Sequence, residues 1–296
     1  MQLTQIKAPS DSAWQECRFL TCSVLPVNNA CNLSCPFCFS RSSISALRRE
    51  KENWSVMNVE RYYQYAKQHG AKRLVITGGG EPLLRSDDVV HLVDIGTKYF
   101  DEIACFTNGT YLTRELSQRL RDAGLSYLCY SRHHYDDDCC RALMGDSMPT
   151  LDAFFEAADR ITVRATCVMA KGYVDCREQV DAYMQALSNY GVRQFTLKHT
   201  YVAYEQSVFG NSQENEWAVR HQIECDPFEG RGETIAQLPW GPRIQRVGDF
   251  QVCFYYEPQP DWEKENRLCR SVNLLTSGEV FASLEDASSR LFRLHN

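Results

Sequence analysis

The segment 28–39 contains three cysteines whose type and spacing could hold a metal centre. Cys31, Cys35 and Cys38 form the pattern CxxxCxxC within eight residues. A structural zinc site takes four protein ligands, commonly from paired CxxC motifs. A cubane iron–sulfur cluster also has four corners, so three thiolates suggest a cluster whose fourth iron is open to another ligand. Three buried, reduced cysteines are the simpler alternative.

A glycine-rich turn follows the next predicted strand. Residues 71–77 form a short apolar run that ends in a GGGEP motif. Gly79 and Gly80 lack a Cβ atom and so allow the backbone to approach a ligand closely. Glu81 adds a hydrogen-bond acceptor, which suits an ammonium group. Alone, this motif and the Asn-Gly turn at 107–109 are also compatible with ordinary turns.

Ionisable side chains at two further strand ends are candidates for proton transfer. His133 lies just past the predicted strand 125–130, and Lys198 and His199 end the predicted strand 192–199. An imidazole can donate or accept a hydrogen bond, or carry a proton near neutral pH. Structural histidines and a solvated strand end are the alternative interpretations.

One charge lies inside an apolar predicted strand. Arg164 interrupts residues 161–170, which are otherwise mostly apolar. Burying a charge costs free energy unless the charge is paired or faces a polar cavity. Arg164 is therefore expected to have an acidic partner or to point at a polar site.

Strand and helix patterns alternate along most of the chain. The predicted strands cover residues 18–27, 71–77, 102–106, 125–130, 161–170 and 192–199. The predicted helices cover residues 55–70, 87–99, 113–123 and 175–190. Such alternation is typical of parallel βαβ units, whose functional groups collect at the carboxyl ends of the strands. Beyond residue 203 the pattern changes to strands at 250–256 and a hairpin at 271–284.

Together these motifs resemble the radical S-adenosylmethionine (radical SAM) superfamily. The cysteine motif, with Phe37 before its last cysteine, resembles the family's cluster loop. GGGEP is similar to the family's GGEP motif, and the turn at 107–109 to its TNG motif. The resemblance implies an α/β fold, a partial (β/α)6 TIM-like barrel over residues 18–202. We therefore expect an N-terminal segment at 1–17 and a C-terminal, partly β, substrate-covering extension at 203–296.

The resemblance also implies roles for individual residues. Cys31, Cys35 and Cys38 would hold a [4Fe-4S] cluster at which S-adenosylmethionine is reductively cleaved to a 5′-deoxyadenosyl radical. In the family an aspartate usually stands where this chain has His133. The residues expected to contact S-adenosylmethionine are Phe37, Gly79, Gly80, Glu81, Thr107, Asn108, Ser131 and Arg164. Catalytic proton transfer is expected from His133, Lys198 and His199.

One branch of the superfamily resembles the chain further. Residues 269–280 are similar to the tail of the GTP cyclase that begins molybdenum cofactor biosynthesis, where three cysteines hold a second cluster. Here Cys269 keeps one position, but Ser283 stands where the last cysteine should be, and Cys253 is the other nearby thiol. The second-cluster motif is therefore incomplete.

Composition and charge exclude several classes of protein. The 296 residues are 44% apolar and 24% charged, which is typical of a globular protein with one large core. Residues 1–14 lack a signal-peptide pattern, and no apolar run is long enough to span a membrane. The formal charge of −6 argues against a dedicated nucleic-acid surface. With reduced thiols as the default, a cytoplasmic protein is expected.

The expected partners follow from the same arguments. The first predicted strand starts near residue 18, which would leave no room for an N-terminal peptide-recognition domain. We therefore expect a small-molecule substrate derived from a sugar, nucleoside or amino acid, and a reductase such as flavodoxin or ferredoxin. The alternatives are modification of a ribosomally made peptide with a separate recognition partner, and a non-catalytic iron–sulfur or zinc protein.

Overall fold

A computed structural model describes residues 12–47, 58–205, 207–223 and 225–294. The strands in these ranges are β1 Arg18–Val24, β2 Arg73–Ile76, β3 Ile103–Thr107, β4 Tyr127–Ser131, β5 Val163–Val168, β6 Gln194–Lys198, β7 Glu233–Gln237, β8 Arg243–Val247, β9 Phe250–Tyr255, β10 Leu268–Leu274, β11 Glu279–Phe281 and β12 Arg290–Arg293. The helices are α1 Ser12–Gln15, α2 Val59–Gln68, α3 Ser86–Gly96, α4 Arg114–Asp122, α5 Asp137–Met144, α6 Leu151–Ala158, α7 Arg177–Ser188, α8 Gln213–Arg220 and α9 Pro260–Asn266.

Local sequence signals set several helix starts. The side chain of Thr113 accepts a hydrogen bond from the Leu116 amide at the start of α4, and Asp136 accepts one from the Cys139 amide at the start of α5. Such caps satisfy amides that the first helical turn leaves without a partner. Helix α6, whose start is capped by Thr150, is not among the predicted helices.

The twelve strands of the described ranges belong to one sheet, whose centre is parallel. The order is β12-β11-β10-β1-β2-β3-β4-β5-β6-β9-β8-β7. The six predicted strands form β1 to β6, and β9 and β10 add to the two edges of this block in the parallel sense. The partial-barrel prediction is confirmed, although the parallel block contains eight strands. Residues from the predicted extension therefore continue the same sheet.

The core includes a fully buried charge beside the carboxyl end of β4. The Nε atom of Arg132 donates to the His134 carbonyl at 2.8 Å, one Nη atom donates to the Pro149 carbonyl at 3.0 Å, and the other lies 2.5 Å from Asp137. A buried guanidinium is tolerated because its donors are satisfied in this way. These bonds fix the loop that follows β4.

The predicted strand and hairpin beyond residue 203 agree with the structure, since the predicted strand 250–256 corresponds to β9. The predicted hairpin near residue 276 corresponds to β10 and β11, which pair antiparallel. Residues 55–57 of the predicted helix 55–70 and residues 1–11 of the predicted N-terminal segment lie outside the described ranges. None of the helices in those ranges is both long and apolar enough to cross a bilayer.

Candidate active site

The three cysteines lie in the loop after β1, at the carboxyl edge of the sheet. The amide of Leu33 donates to the Cys31 sulfur at 3.5 Å, and the Asn108 side-chain amide lies 3.9 Å from the same sulfur. The Cys38 amide donates to the Cys35 carbonyl at 3.2 Å, which closes a tight turn. Polar N–H groups directed at cysteine sulfur are among the contacts that tune iron–sulfur clusters.

At least one pair of motif sulfurs lies farther apart than a single tetrahedral zinc ion would allow. Only one group of three potential metal-binding residues in the described ranges has its ligand atoms within 4.8 Å of each other. It consists of His134, Asp136 and Cys139. The three motif cysteines are therefore spaced more widely than this. A tetrahedral zinc ion with Zn–S bonds of about 2.3 Å would need sulfurs about 3.8 Å apart.

Burial makes the thiols of Cys31 and Cys35 poor anions on their own. It raises the pKa of Cys31 and that of Cys35, whose neighbouring thiols raise it further. A bound metal centre supplies the positive charge that a buried thiolate needs. The donor set and its surroundings thus fit a [4Fe-4S] cluster.

Two glycines let the turn after β2 pack directly on the cysteine loop. A Cβ atom at Gly79 would lie 1.5 Å from the Asn28 carbonyl oxygen, and one at Gly80 would lie 1.8 Å from the Ala30 carbonyl oxygen. Across the same contact, the Gly79 amide donates to the Val27 carbonyl at 3.0 Å. The glycines therefore permit a close approach of backbone to backbone.

Glu81 joins this turn to the loop after β3. Its carboxylate is 2% exposed and accepts hydrogen bonds from the Leu83 amide at 3.0 Å, the Thr107 hydroxyl at 2.7 Å and the Asn108 amide at 2.8 Å. Burial raises the pKa of Glu81 to about 6, and these three donors oppose the shift. The side-chain amide of Asn108 continues the chain of contacts to Asn32 at 3.2 Å.

One cavity of about 390 Å³ collects the motifs. Its lining includes Cys31, Cys35, Cys38, Gly80, Glu81, Thr107, Asn108, Ser131, His133 and Lys198. These residues come from five separate loops or strand ends, as expected when parallel strands end at one edge. The structure therefore brings together most of the residues predicted from the sequence.

His133 is held as a buried, neutral ring. Its Nδ1 atom accepts a hydrogen bond from the Val168 amide at 3.0 Å, which leaves the ring proton on Nε2. Burial lowers its pKa to about 3, with Lys198 and Arg132 adding to the shift. His133 thus suits hydrogen-bond donation through Nε2 better than proton uptake near neutral pH.

Four predicted site residues are not among those that line this cavity. Gly79 is one of them, because it packs on the Asn28 backbone as described above. Phe37 packs behind the cysteine loop, with its ring 4.9 Å from that of His133. Arg164 lines a separate hollow of about 280 Å³ and pairs with Glu102 at 3.5 Å, because it stands near the amino end of β5. His199 lines a neighbouring cavity of about 370 Å³.

The cavity also has a charged wall that the sequence analysis did not identify. Lys198 lies 3.5 Å from the carboxylate of Glu257, which also accepts from the Tyr255 hydroxyl at 2.7 Å and pairs with Arg270. The second carboxylate on Arg270 belongs to Glu285, at 2.7 Å. Arg270 lies inside β10 but just before the predicted hairpin at 271–284, so the sequence analysis did not mark it as a charge within a strand.

The two thiols of the incomplete second-cluster motif, Cys253 and Cys269, lie in different surroundings. Cys253 lines the hollow next to Arg164, whereas Cys269 is fully buried and its thiol interacts with that of Cys17. All fourteen cysteines of the chain are free of disulfides. This arrangement does not fit a second cluster on Cys253 and Cys269.

Sequence comparisons identify relatives of the chain. The sequence profile of the radical SAM superfamily matches residues 25–169. The chain is 38% identical over 102 residues to a probable GTP 3′,8-cyclase of Methanothermobacter marburgensis, covering 34% of this chain and 31% of the relative. It is 29% identical over 156 residues to a GTP 3′,8-cyclase of Listeria monocytogenes, covering 51% and 46% respectively. The chain therefore spans less than half of these relatives.

A structural comparison supports the same fold. The Streptococcus suis protein SuiB, solved with S-adenosylmethionine bound, superimposes with a TM-score of 0.56 and 16% identity. The match covers 90% of this chain and 60% of SuiB. The profile match, these relatives and the shared fold support a radical SAM superfamily protein that resembles the GTP 3′,8-cyclase branch, with a [4Fe-4S] cluster and S-adenosylmethionine as its cofactors.

Proposed function

We propose that this chain is a radical SAM enzyme acting on a small-molecule biosynthetic substrate derived from a sugar, nucleoside or amino acid. The observation that carries the proposal is the single cavity shared by Cys31, Cys35, Cys38 and the two motif loops. Its volume falls in the range of small-molecule sites. When bound, the reduced cluster and S-adenosylmethionine supply a 5′-deoxyadenosyl radical that abstracts hydrogen from a substrate carbon.

The chain's own residues bind and orient the reacting groups. Cys31, Cys35 and Cys38 hold the cluster, and the Leu33 amide donates to the Cys31 sulfur. Glu81 keeps the two motif loops in register through its three accepted hydrogen bonds. This preorganised wall reduces the cost of ordering the site when ligands bind.

The remaining polar residues of the site have different proposed roles. The Nε2–H group of His133 is available to donate to substrate or to the cofactor's ribose. Lys198 lies at the boundary of three cavities and can reach a substrate oxygen. Arg164 and His199, which lie beyond the main cavity lining, would act on a substrate that extends into the neighbouring spaces.

The proposed setting includes an electron donor and a reducing compartment. One-electron reduction of the cluster would come from a reductase such as flavodoxin or ferredoxin. Fourteen free thiols favour a cytoplasmic location, where cysteines stay reduced. If the substrate were instead a ribosomally made peptide, a separate recognition protein would be needed and should co-purify with the chain.

The test is anaerobic and uses two cysteine variants. The protein is reconstituted with iron and sulfide, mixed with S-adenosylmethionine and dithionite, and assayed for 5′-deoxyadenosine. Cys35→Ala should abolish the product, while Cys225→Ala, at an exposed cysteine outside the site, should retain it. Zinc without sulfide in the purified protein would contradict the proposal, as would equal product from both variants.

A further inference from the structure

A pair of oppositely charged side chains connects the two edges of the eight-stranded parallel block. The backbone ladder of the described sheet places β9 and β10 at opposite edges of the block. Glu257, two residues past the end of β9, nevertheless pairs with Arg270 on β10. The side chain of Glu257 is 19% exposed and that of Arg270 is 14% exposed, so the pair is largely withdrawn from solvent. Side chains thus connect the two edges where the backbone ladder does not.

The polar atoms of this ion pair and of the adjacent Lys198 differ in how many hydrogen bonds they make. Both Nη atoms of Arg270 already have carboxylate partners, on Glu257 and Glu285. The Oε2 atom of Glu257 accepts from both Arg270 and Tyr255. Its Oε1 atom has one long contact, to Lys198 at 3.5 Å, and that ammonium carries three donor hydrogens. A donor and an acceptor with spare capacity therefore lie side by side.

This pair faces the space where a substrate would bind. Lys198, Tyr255, Glu257 and Arg270 all line the cavity that the motif cysteines line. Lys198, Tyr255 and Glu257 also line the neighbouring cavity of about 370 Å³, so they form the partition between the two spaces. A ligand held here would lie in the same cavity as the proposed cluster.

The charges on this wall are nearly balanced. Arg270 and Lys198 bring two positive charges, and Glu257 and Glu285 bring two carboxyl groups. A third carboxyl group, on Glu263, accepts from the Arg270 amide, and burial raises its pKa to about 8, which favours its neutral form. A ligand with a net charge would upset this balance in a poorly solvated place, which is costly. A neutral dipole with an acceptor beside a donor would satisfy both Lys198 and Glu257 without adding charge.

Resting on the proposed function, we propose that Lys198 and Glu257 form the substrate anchor and select a neutral amide-type group. The carbonyl oxygen of that group accepts from the Lys198 ammonium, and its adjacent N–H donates to Glu257 Oε1. Arg270 is a positioning residue, because its pairs to Glu257 and Glu285 hold the acceptor in place. Carboxylates and simple amines each offer only half of this pattern.

Three matched probes test the selection. Nicotinamide, nicotinate and 3-(aminomethyl)pyridine share one ring and differ in the group they present. Their affinities for the cluster-loaded protein with S-adenosylmethionine can be measured by ligand-observed NMR titration. We expect nicotinamide to bind about tenfold more tightly than the other two, the effect of one charge-assisted hydrogen bond. Equal affinities, or tighter binding of nicotinate or the amine, would overturn the proposal.

Variants connect the selectivity to the named residues. Glu257→Gln and Lys198→Met should each reduce the preference for nicotinamide to less than about threefold, and Glu233→Gln, on an exposed strand, should leave it unchanged. Thermal melting identifies a variant that fails to fold, and the other variant then decides. A preference that persists in a folded variant refutes the assignment. Because this readout is binding, it stands apart from 5′-deoxyadenosine formation, which tests the proposed function.

Discussion

Gly79→Ala is expected to separate the turn after β2 from the cysteine loop. The new Cβ atom would lie 1.5 Å from the Asn28 carbonyl oxygen, whereas real Cβ contacts essentially never fall below 3.0 Å. The two backbones must therefore move apart by roughly 1.5 Å, since neither atom belongs to a flexible side chain. Two hydrogen bonds cross this contact, from Gly79 to Val27 at 3.0 Å and from Glu81 to Ala30 at 2.9 Å.

The cost can be worked from these contacts. Each lost backbone hydrogen bond is worth about 1 kcal/mol, and overpacking adds about 1–3 kcal/mol. We therefore expect Gly79→Ala to lower the free energy of unfolding by about 3–5 kcal/mol. Because the displaced loop carries Cys31, iron and sulfide incorporation should fall with it.

Urea unfolding of the metal-free protein, followed by circular dichroism, measures the stability change. Iron and sulfide analysis after reconstitution measures the effect on the cluster loop. The matched control is Gly210→Ala, because the nearest atom to its Cβ would be 3.6 Å away and no strained backbone angle is involved. Its effect should stay within about 0.5 kcal/mol. If Gly79→Ala matched this control in both assays, the packing argument would be wrong.

Three further predictions concern buried ionisable groups. The pKa of Glu81 is raised to about 6 in the folded protein from an ordinary 4.5, so the folded state holds the proton more tightly than the unfolded state. The free energy of unfolding should therefore fall by about 2 kcal/mol as the pH rises between these two pKa values. Denaturation curves of Glu81→Gln should lack that loss, and parallel curves would contradict it. Because the pKa of His133 is lowered to about 3, its NMR signals should not titrate between pH 5 and 8. The free energy of unfolding should fall as the pH drops below about 6.5, because the unfolded chain then takes up a proton that the folded chain does not. A midpoint near 6.5 would refute this. Arg132→Met should cost about 3–5 kcal/mol in urea unfolding, against less than about 1 kcal/mol for the exposed Arg119→Met; similar losses would show that the Arg132 contacts contribute little.

Local patterns were enough to predict the cluster loop and the strand–helix alternation. CxxxCxxC and GGGEP act through residues close together in the chain, so their spacing carries the chemical information. Strands β1 to β6 are short apolar runs bounded by turn residues, and the structure confirms them within a few residues. Helix α6 was missed although Thr150 caps its start.

For some predicted residues, tertiary packing and not the local sequence determined their position in the structure. Arg164 was a visible charge in an apolar strand, but its position near the amino end of β5 places it beside Glu102. The glycines of GGGEP were expected to approach a ligand, whereas Gly79 packs on the backbone of the cysteine loop. In both cases the deciding contact is made with a distant part of the chain.

The sequence by itself determined the cysteine motif, the family and the parallel α/β pattern, because each depends on short-range spacing. The tertiary structure alone decided the charged wall of Lys198, Glu257, Arg270 and Glu285. These residues are separated by up to 87 positions, and they meet only because β9 and β10 join opposite edges of one curved sheet. Sequence patterns report local periodicity, whereas a buried ion network depends on which distant strands become neighbours.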